Sequence, residues 1–177
     1  PIRPEFSRPA LDKLAQRRQL GLVEDLPAVL LLSGGEGMGP VKETAVEVAE
    51  RLAEGVRTKG RVSGQMVIVC GRNEKLEKKL RRHHWPVPVA VNGFVYNMAD
   101  WMAACDCVIS KAGPGTIVEA MARGLPLILN GYVQGQEAGN VAYVLESGVG
   151  TYTEDEEEIG AIVARWLGPD IAQVKAM

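Results

Sequence analysis

The stretch Cys107-Val108-Ile109-Ser110-Lys111-Ala112-Gly113-Pro114-Gly115-Thr116-Ile117-Val118-Glu119-Ala120-Met121 passes from an apolar run, through a glycine-rich turn, into a helical pattern. An apolar run without alternation fits a strand covered on both faces, as in parallel sheets. The same unit recurs on either side of it. Comparable runs occupy Ala28 to Leu32, Met66 to Cys70, Val87 to Val91 and Leu125 to Leu129. Between them, Val41, Ala45, Val48, Ala49 and Leu52 share one helical face, and Ile159, Ile162, Val163, Trp166 and Leu167 share another. Strands alternating with helices imply right-handed crossovers, and so an α/β, Rossmann-like doubly wound parallel sheet. Ligands of such sheets bind at the carboxyl ends of the strands.

The chain of 177 residues, 46% of them hydrophobic, is long enough for one domain with a sizeable core. Its net charge of -2 argues against a sequence-independent nucleic-acid binder, which needs a dominant basic face. No apolar stretch approaches the roughly 20 residues that span a bilayer. Cys70, Cys105 and Cys107 show no metal-ligand spacing and read as small core residues. Three prolines between Pro1 and Pro9 read as a linker, followed by a basic helix from about Leu11 to Leu20 with Gly21 as its cap. That helix is expected to be a solvated face rather than a lipid contact. The acidic run Glu154 to Glu158 is expected to open the last helix.

Three loops could hold a nucleotide sugar. The first is Ser33-Gly34-Gly35-Glu36-Gly37-Met38-Gly39, directly after the first strand. A dinucleotide fingerprint starting at Gly35 would need glycine where Pro40 stands, and a Walker A loop would need Lys-Ser/Thr at Pro40-Val41, so neither NAD nor ATP is favoured. What remains is a row of backbone N–H groups before a helix, suited to phosphate or to a closely approaching sugar; a tight turn is the plainer alternative.

The second loop, Lys111-Ala112-Gly113-Pro114-Gly115-Thr116, offers a helix start to a diphosphate, with Glu119 one turn further on to accept both ribose hydroxyls. Thr116-x-x-Glu119 also spells a capping box. In the third, Asn130 to Asn140, the side chains of Gln136, Glu137 and Asn140 suit the hydroxyls of a hexose, although a capped helix start has the same appearance. Asn97 and Asp100 read as caps, and His83-His84 as the end of a basic helix rather than as metal ligands. No Ser-His-Asp or Cys-His set can be assembled, so no catalytic base is evident.

The segments SGGEGMGP, CGRN, ACDCVISKAGPGTIVEAMARGLPLILNGY and GQEAGNVAYVLESG resemble the C-terminal domain of plant and algal monogalactosyldiacylglycerol synthases, from about Pro1 to Gly168. A weaker likeness extends to the peptidoglycan GlcNAc transferases. Ser33 and Gln134 depart from the expected pattern, where another glycine and a smaller residue are anticipated.

The resemblance implies the donor-binding half of a two-domain glycosyltransferase. Phe94 and Val95 would flank uracil, Gly113, Pro114, Gly115 and Thr116 would hold the diphosphate beside Lys111, and Glu119 would take the ribose. Gln136, Glu137 and Asn140 would take the galactose, while the loop from Gly34 through Gly35, Glu36, Gly37 and Met38 to Gly39 would close over the cleft. The implied reaction is inverting transfer from UDP-galactose to diacylglycerol, with its base in a missing N-terminal domain that also meets the membrane lipid. No Asp-x-Asp motif is present, so no metal or other cofactor is expected, and the helix start at Gly113 to Thr116, aided by Lys111 or Arg72, would offset charge on the departing UDP. A location at the chloroplast envelope as a peripheral membrane protein is implied as well.

Residues 1–20 are then an interdomain linker and leading helix, 21–168 the donor domain and 169–177 a tail. The missing start Met would mark a cut in that linker. The alternatives are a UDP-GlcNAc-dependent transferase or 2-epimerase of the same architecture, or a non-catalytic nucleotide-binding module.

Overall fold

The computed structural model describes residues 2–34 and 40–177. Six parallel strands, β1 (Ala28–Leu32), β2 (Gln65–Val69), β3 (Val89–Asn92), β4 (Cys107–Ser110), β5 (Leu127–Leu129) and β6 (Gly150–Tyr152), form one sheet in the order β3-β2-β1-β4-β5-β6. This is the doubly wound arrangement expected from the sequence. Its order reverses between β1 and β4, where Leu31 faces Ile68 on one side and Ile109 on the other.

The continuous apolar strands serve two cores by strict alternation. Val29, Leu31, Met66, Ile68, Cys107, Ile109 and Ile128 point to one face of the sheet. Ala28, Leu30, Val67, Val69, Val108, Leu127 and Leu129 point to the other. Each fully buried Leu or Ile contributes roughly 1.5–3 kcal/mol, so neither face tolerates a polar slip.

The first core is closed by α2 (Val41–Ala53), α4 (Glu74–Arg82), α8 (Glu156–Trp166) and α9 (Ile171–Lys175). There α2 and α8 approach closely at Gly160, where a Cβ would stand 3.1 Å from Arg51 Cγ and 3.3 Å from the carbonyl oxygen of Glu47. The second core is closed by α5 (Met98–Ala104), α6 (Pro114–Ala122) and α7 (Ala138–Glu146). Two shorter helices, α1 (Lys13–Gln19) and α3 (Gly55–Lys59), and a 3-10 turn over Pro4–Ser7 complete the chain. Cys70, Cys105 and Cys107 are free and buried, as expected of core residues.

Several local expectations shift. The run from Val87 enters the sheet only at Val89 because Pro86 and Pro88 carry no N–H to donate; Pro88 still accepts from Met66 through its carbonyl. Pro126 delays β5 to Leu127 in the same way. The leading helix is shorter than expected, since Asp12 caps it by accepting from the Ala15 N–H and Gly21 ends it at φ +75°. Its basic face is solvated only in part, at Arg18, whose side chain is 72% exposed. Arg17 is buried, pairs with Asp106 at 2.7 Å and donates to Ala104 and Glu24 carbonyls, while Lys13 also reaches Asp106 and Arg18 pairs with Glu24. The acidic run does open α8, with Asp155 accepting from the N–H groups of Glu157 and Glu158, although α9 follows it.

Candidate functional site

The loops after β1 and β4 leave adjacent strands at the point where the sheet order reverses, so the topology brings their chain ends together. Ser33 extends β1 by donating to the Val69 carbonyl, and a Cβ on Gly34 would stand 3.5 Å from Lys111 Cδ. The backbone at Gly34 therefore runs beside the Lys111 side chain. Gly35, Glu36, Gly37, Met38 and Gly39 lie outside the described residues.

In the second loop Gly113 is the N-cap of α6 and Pro114 its first residue. No side chain caps this end, which leaves the N–H groups of Gly115 and Thr116 directed out of the helix start, where positive potential concentrates. Because the helix begins at Pro114, Thr116 and Glu119 do not form the capping box their spacing suggested. Thr116 lies inside the first turn and Glu119 inside the second.

The third loop folds onto the second. Glu137, the N-cap of α7, is buried, and its Oε2 accepts from its neighbour Val133 N–H at 2.9 Å. Its other oxygen lies 3.9 Å from Lys111 Nζ. Asn140, in the first turn of α7, donates from Nδ2 to the Ala112 carbonyl at 3.0 Å. The loops are also tied by backbone, Ala112 donating to Gly131 and Asn130 to Ser110. Lys111, Gly113, Glu137 and Asn140 thus form one cluster, with the Lys111 ammonium partly exposed beside an uncapped helix start. Gln136 is exposed just outside it.

Arg72 and Phe94 meet elsewhere at the same end of the sheet. The loop after β2 turns at Gly71, φ +58°, and places the Arg72 guanidinium 4.5 Å from the centroid of the Phe94 ring in the loop after β3. Tyr96 packs edge-on against Phe94 and is itself exposed, an aromatic pair the sequence reading overlooked. Val95 packs toward the second core. Asn97 is not a side-chain cap, since its Oδ1 accepts from Trp101 Nε1 instead. His83 packs edge-on against Trp85 at the end of α4.

Among the described candidate residues Glu119 stands in a forked ion pair. Arg3 grips both of its oxygens, Nε to Oε1 at 2.6 Å and a terminal nitrogen to Oε2 at 2.9 Å. Nothing in the proline-rich opening pointed to Arg3, because its partner is 116 positions away.

Residues 28–165 match the glycosyltransferase family 28 C-terminal domain. Over all 177 residues the chain is 52% identical to the chloroplastic monogalactosyldiacylglycerol synthase 1 of Arabidopsis thaliana, and it spans about a third of the length of such curated relatives, 33% in this case. Among solved structures it resembles WaaG, a glycosyltransferase involved in lipopolysaccharide biosynthesis, with TM-score 0.71 and 17% identity over 99% of this chain and 48% of that one. It likewise resembles Anabaena HepE, solved in complex with UDP-glucose, with TM-score 0.60 and 21% identity over 97% of this chain and 46% of that one. The structural likenesses carry the fold. The match in sequence, which runs through the strands and through each of the three loops, carries more: the chain belongs to the glycosyltransferase family 28 C-terminal domain family.

Proposed function

We propose that this chain is the nucleotide-sugar-binding half of a monogalactosyldiacylglycerol synthase, which transfers galactose from UDP-galactose to diacylglycerol with inversion. The observation that carries the reading is the cluster at the sheet reversal, where the Lys111 ammonium and the side chains of Glu137 and Asn140 gather around the loop that leads into the uncapped start of α6. The names of relatives such as the Arabidopsis enzyme, a chloroplastic monogalactosyldiacylglycerol synthase, support this reading. No helix among the described residues is long and apolar enough to cross a membrane, which is compatible with peripheral attachment through another part of the longer protein.

In this reading the start of α6 holds the diphosphate. Its N–H groups and Lys111 meet negative charge as the UDP leaving group departs, and preorganised donors of this kind stabilise a transition state without reorganising. Gln136, Glu137 and Asn140 hold the galactose hydroxyls. Phe94 and Val95 take the uracil, with Arg72 stacked behind Phe94. Glu119 receives the ribose once it is free of Arg3, and the first loop, Gly34 to Gly39, closes over the donor. Residues 21–168 form the donor domain, residues 1–20 lead into it and residues 169–177 trail it. Diacylglycerol and the base that deprotonates it belong to the remaining part of the longer protein.

Calorimetry on the 177-residue chain tests this. UDP and UDP-galactose bind, the isolated chain transfers nothing, and Lys111→Ala weakens UDP about tenfold while leaving uridine nearly unchanged, the loss of one charge-assisted contact to phosphate. Absence of UDP binding would refute the reading, and preference for UDP-GlcNAc over UDP-galactose would replace the donor.

A further inference from the structure

We propose that the segment from Arg3 to Arg8 is a reversible latch on the donor site, with Arg3 occupying the Glu119 carboxylate that the ribose must reach. This inference rests on the donor-site reading above, in which Glu119 takes the ribose.

The latch is built from four residues. Phe6 is buried, 3% exposed, in the second core beside α6. Arg123, at the end of α6, holds the segment from outside by donating to the carbonyls of Arg8 at 2.9 Å and Glu5 at 3.0 Å. The guanidinium groups of Arg3 and Arg123 both lie over the Phe6 ring, at 5.2 and 5.7 Å from its centroid. With Phe6 as anchor, Arg3 is held level with the second turn of α6 and closes on Glu119 in a fork, nitrogen to each oxygen. The Glu119 hydrogen bonds raise the affinity of Arg3 for its proton still further.

A forked guanidinium uses the two lone pairs of a carboxylate that point along the fork, which are the pair a vicinal diol uses. The carboxylate therefore serves Arg3 or the ribose, one at a time. Release is easy. The Arg3 side chain is 46% exposed against 14% for Glu119, so water and salt reach the guanidinium side of the fork and compete for it. Phe6 and Arg123 keep the segment docked when Arg3 lets go, so the tip moves and the anchor stays.

A latch worth about 1 kcal/mol leaves the carboxylate free about a third to a sixth of the time and so weakens ribose binding about three- to sixfold. In calorimetry on the 177-residue chain, Arg3→Ala and Arg3→Lys should each tighten UDP by about that factor; Lys keeps the charge but lacks the fork. Inorganic pyrophosphate, which has no ribose, should bind all three forms alike. Uridine gives the sharpest contrast because it is uncharged. Its affinity for the unsubstituted chain should rise severalfold as salt opens the latch, and should stay flat for Arg3→Ala. Weaker UDP and uridine binding by Arg3→Ala would make Arg3 a part of the site and overturn the latch. If Glu119→Gln weakens UDP while Arg3→Ala changes nothing, the latch falls and the donor site stands; if no form binds UDP, both fall.

Discussion

Asn140 Nδ2 donates to the carbonyl of Ala112 across 3.0 Å, joining the first turn of α7 to the loop that leads into α6. Ala112 is fully buried, so its carbonyl has no ready exchange with water. This side chain thereby adds to the backbone bonds that join the loop proposed for the diphosphate to the loop proposed for the hexose.

Asn140→Ala leaves that carbonyl unpaired, which costs about 1–3 kcal/mol. The chain should unfold at correspondingly lower urea. UDP-galactose should lose about tenfold in affinity, since the sugar loop drifts, whereas UDP alone should lose much less. Equal losses for both ligands would place Asn140 in general support of the fold and remove it from sugar recognition.

Asp106 organises the other end of the sheet. It accepts from the Ala28 N–H at 2.9 Å, from Arg17 at 2.7 Å and from Lys13 at 3.0 Å, which ties α1 to the first residue of β1. Arg17 and Asp106 are both buried. Removing one member of a buried pair strands the other, at about 3–5 kcal/mol. Asp106→Ala should therefore be severe in a urea titration, while Lys13→Ala, on the exposed side of the same cluster, should cost under about 1 kcal/mol. Similar losses for the two variants would contradict the buried pairing.

The strands were legible because a parallel sheet buries both faces of each strand, and only an unbroken apolar run satisfies that. β6 was not, since Gly150-Thr151-Tyr152 is short, lies at the sheet edge and is only partly buried. Glycine spacing located the loops, yet it could not say where α6 begins, and that one position separates a capping box from a free helix start. The closure of Lys111, Glu137 and Asn140 on one another depends on strand order, which a linear pattern implies only through the crossover rule. Arg3 carried no local signal at all. It reaches Glu119 through the anchoring of Phe6, a contact that exists only after the second core has formed.

The thiols report on both cores through pH, Cys105 lying in the second and Cys70 and Cys107 in the first. Burial pushes Cys105 up to about 12, with the neighbouring Asp106 carboxylate adding to the effect, and raises Cys107 for the same reasons. Cys70 is pushed up to about 11, again chiefly by burial. At pH 8 a thiol at about 11 is thiolate about one part in a thousand, so iodoacetamide should leave the folded chain unmodified and label all three cysteines in denaturant. The unfolded chain starts to lose these protons near pH 8.5, while the folded chain keeps them. Their contribution is complete below that pH and declines above it, by up to about 1.4 kcal/mol per pH unit for each of Cys105 and Cys107, until the folded thiols ionise in turn. Urea titrations between pH 8 and 10 should show the double variant Cys105→Ala, Cys107→Ala losing stability less steeply than the parent chain. Parallel slopes would mean that the two thiols are already ionising in the folded protein, and that both cores admit water beside them.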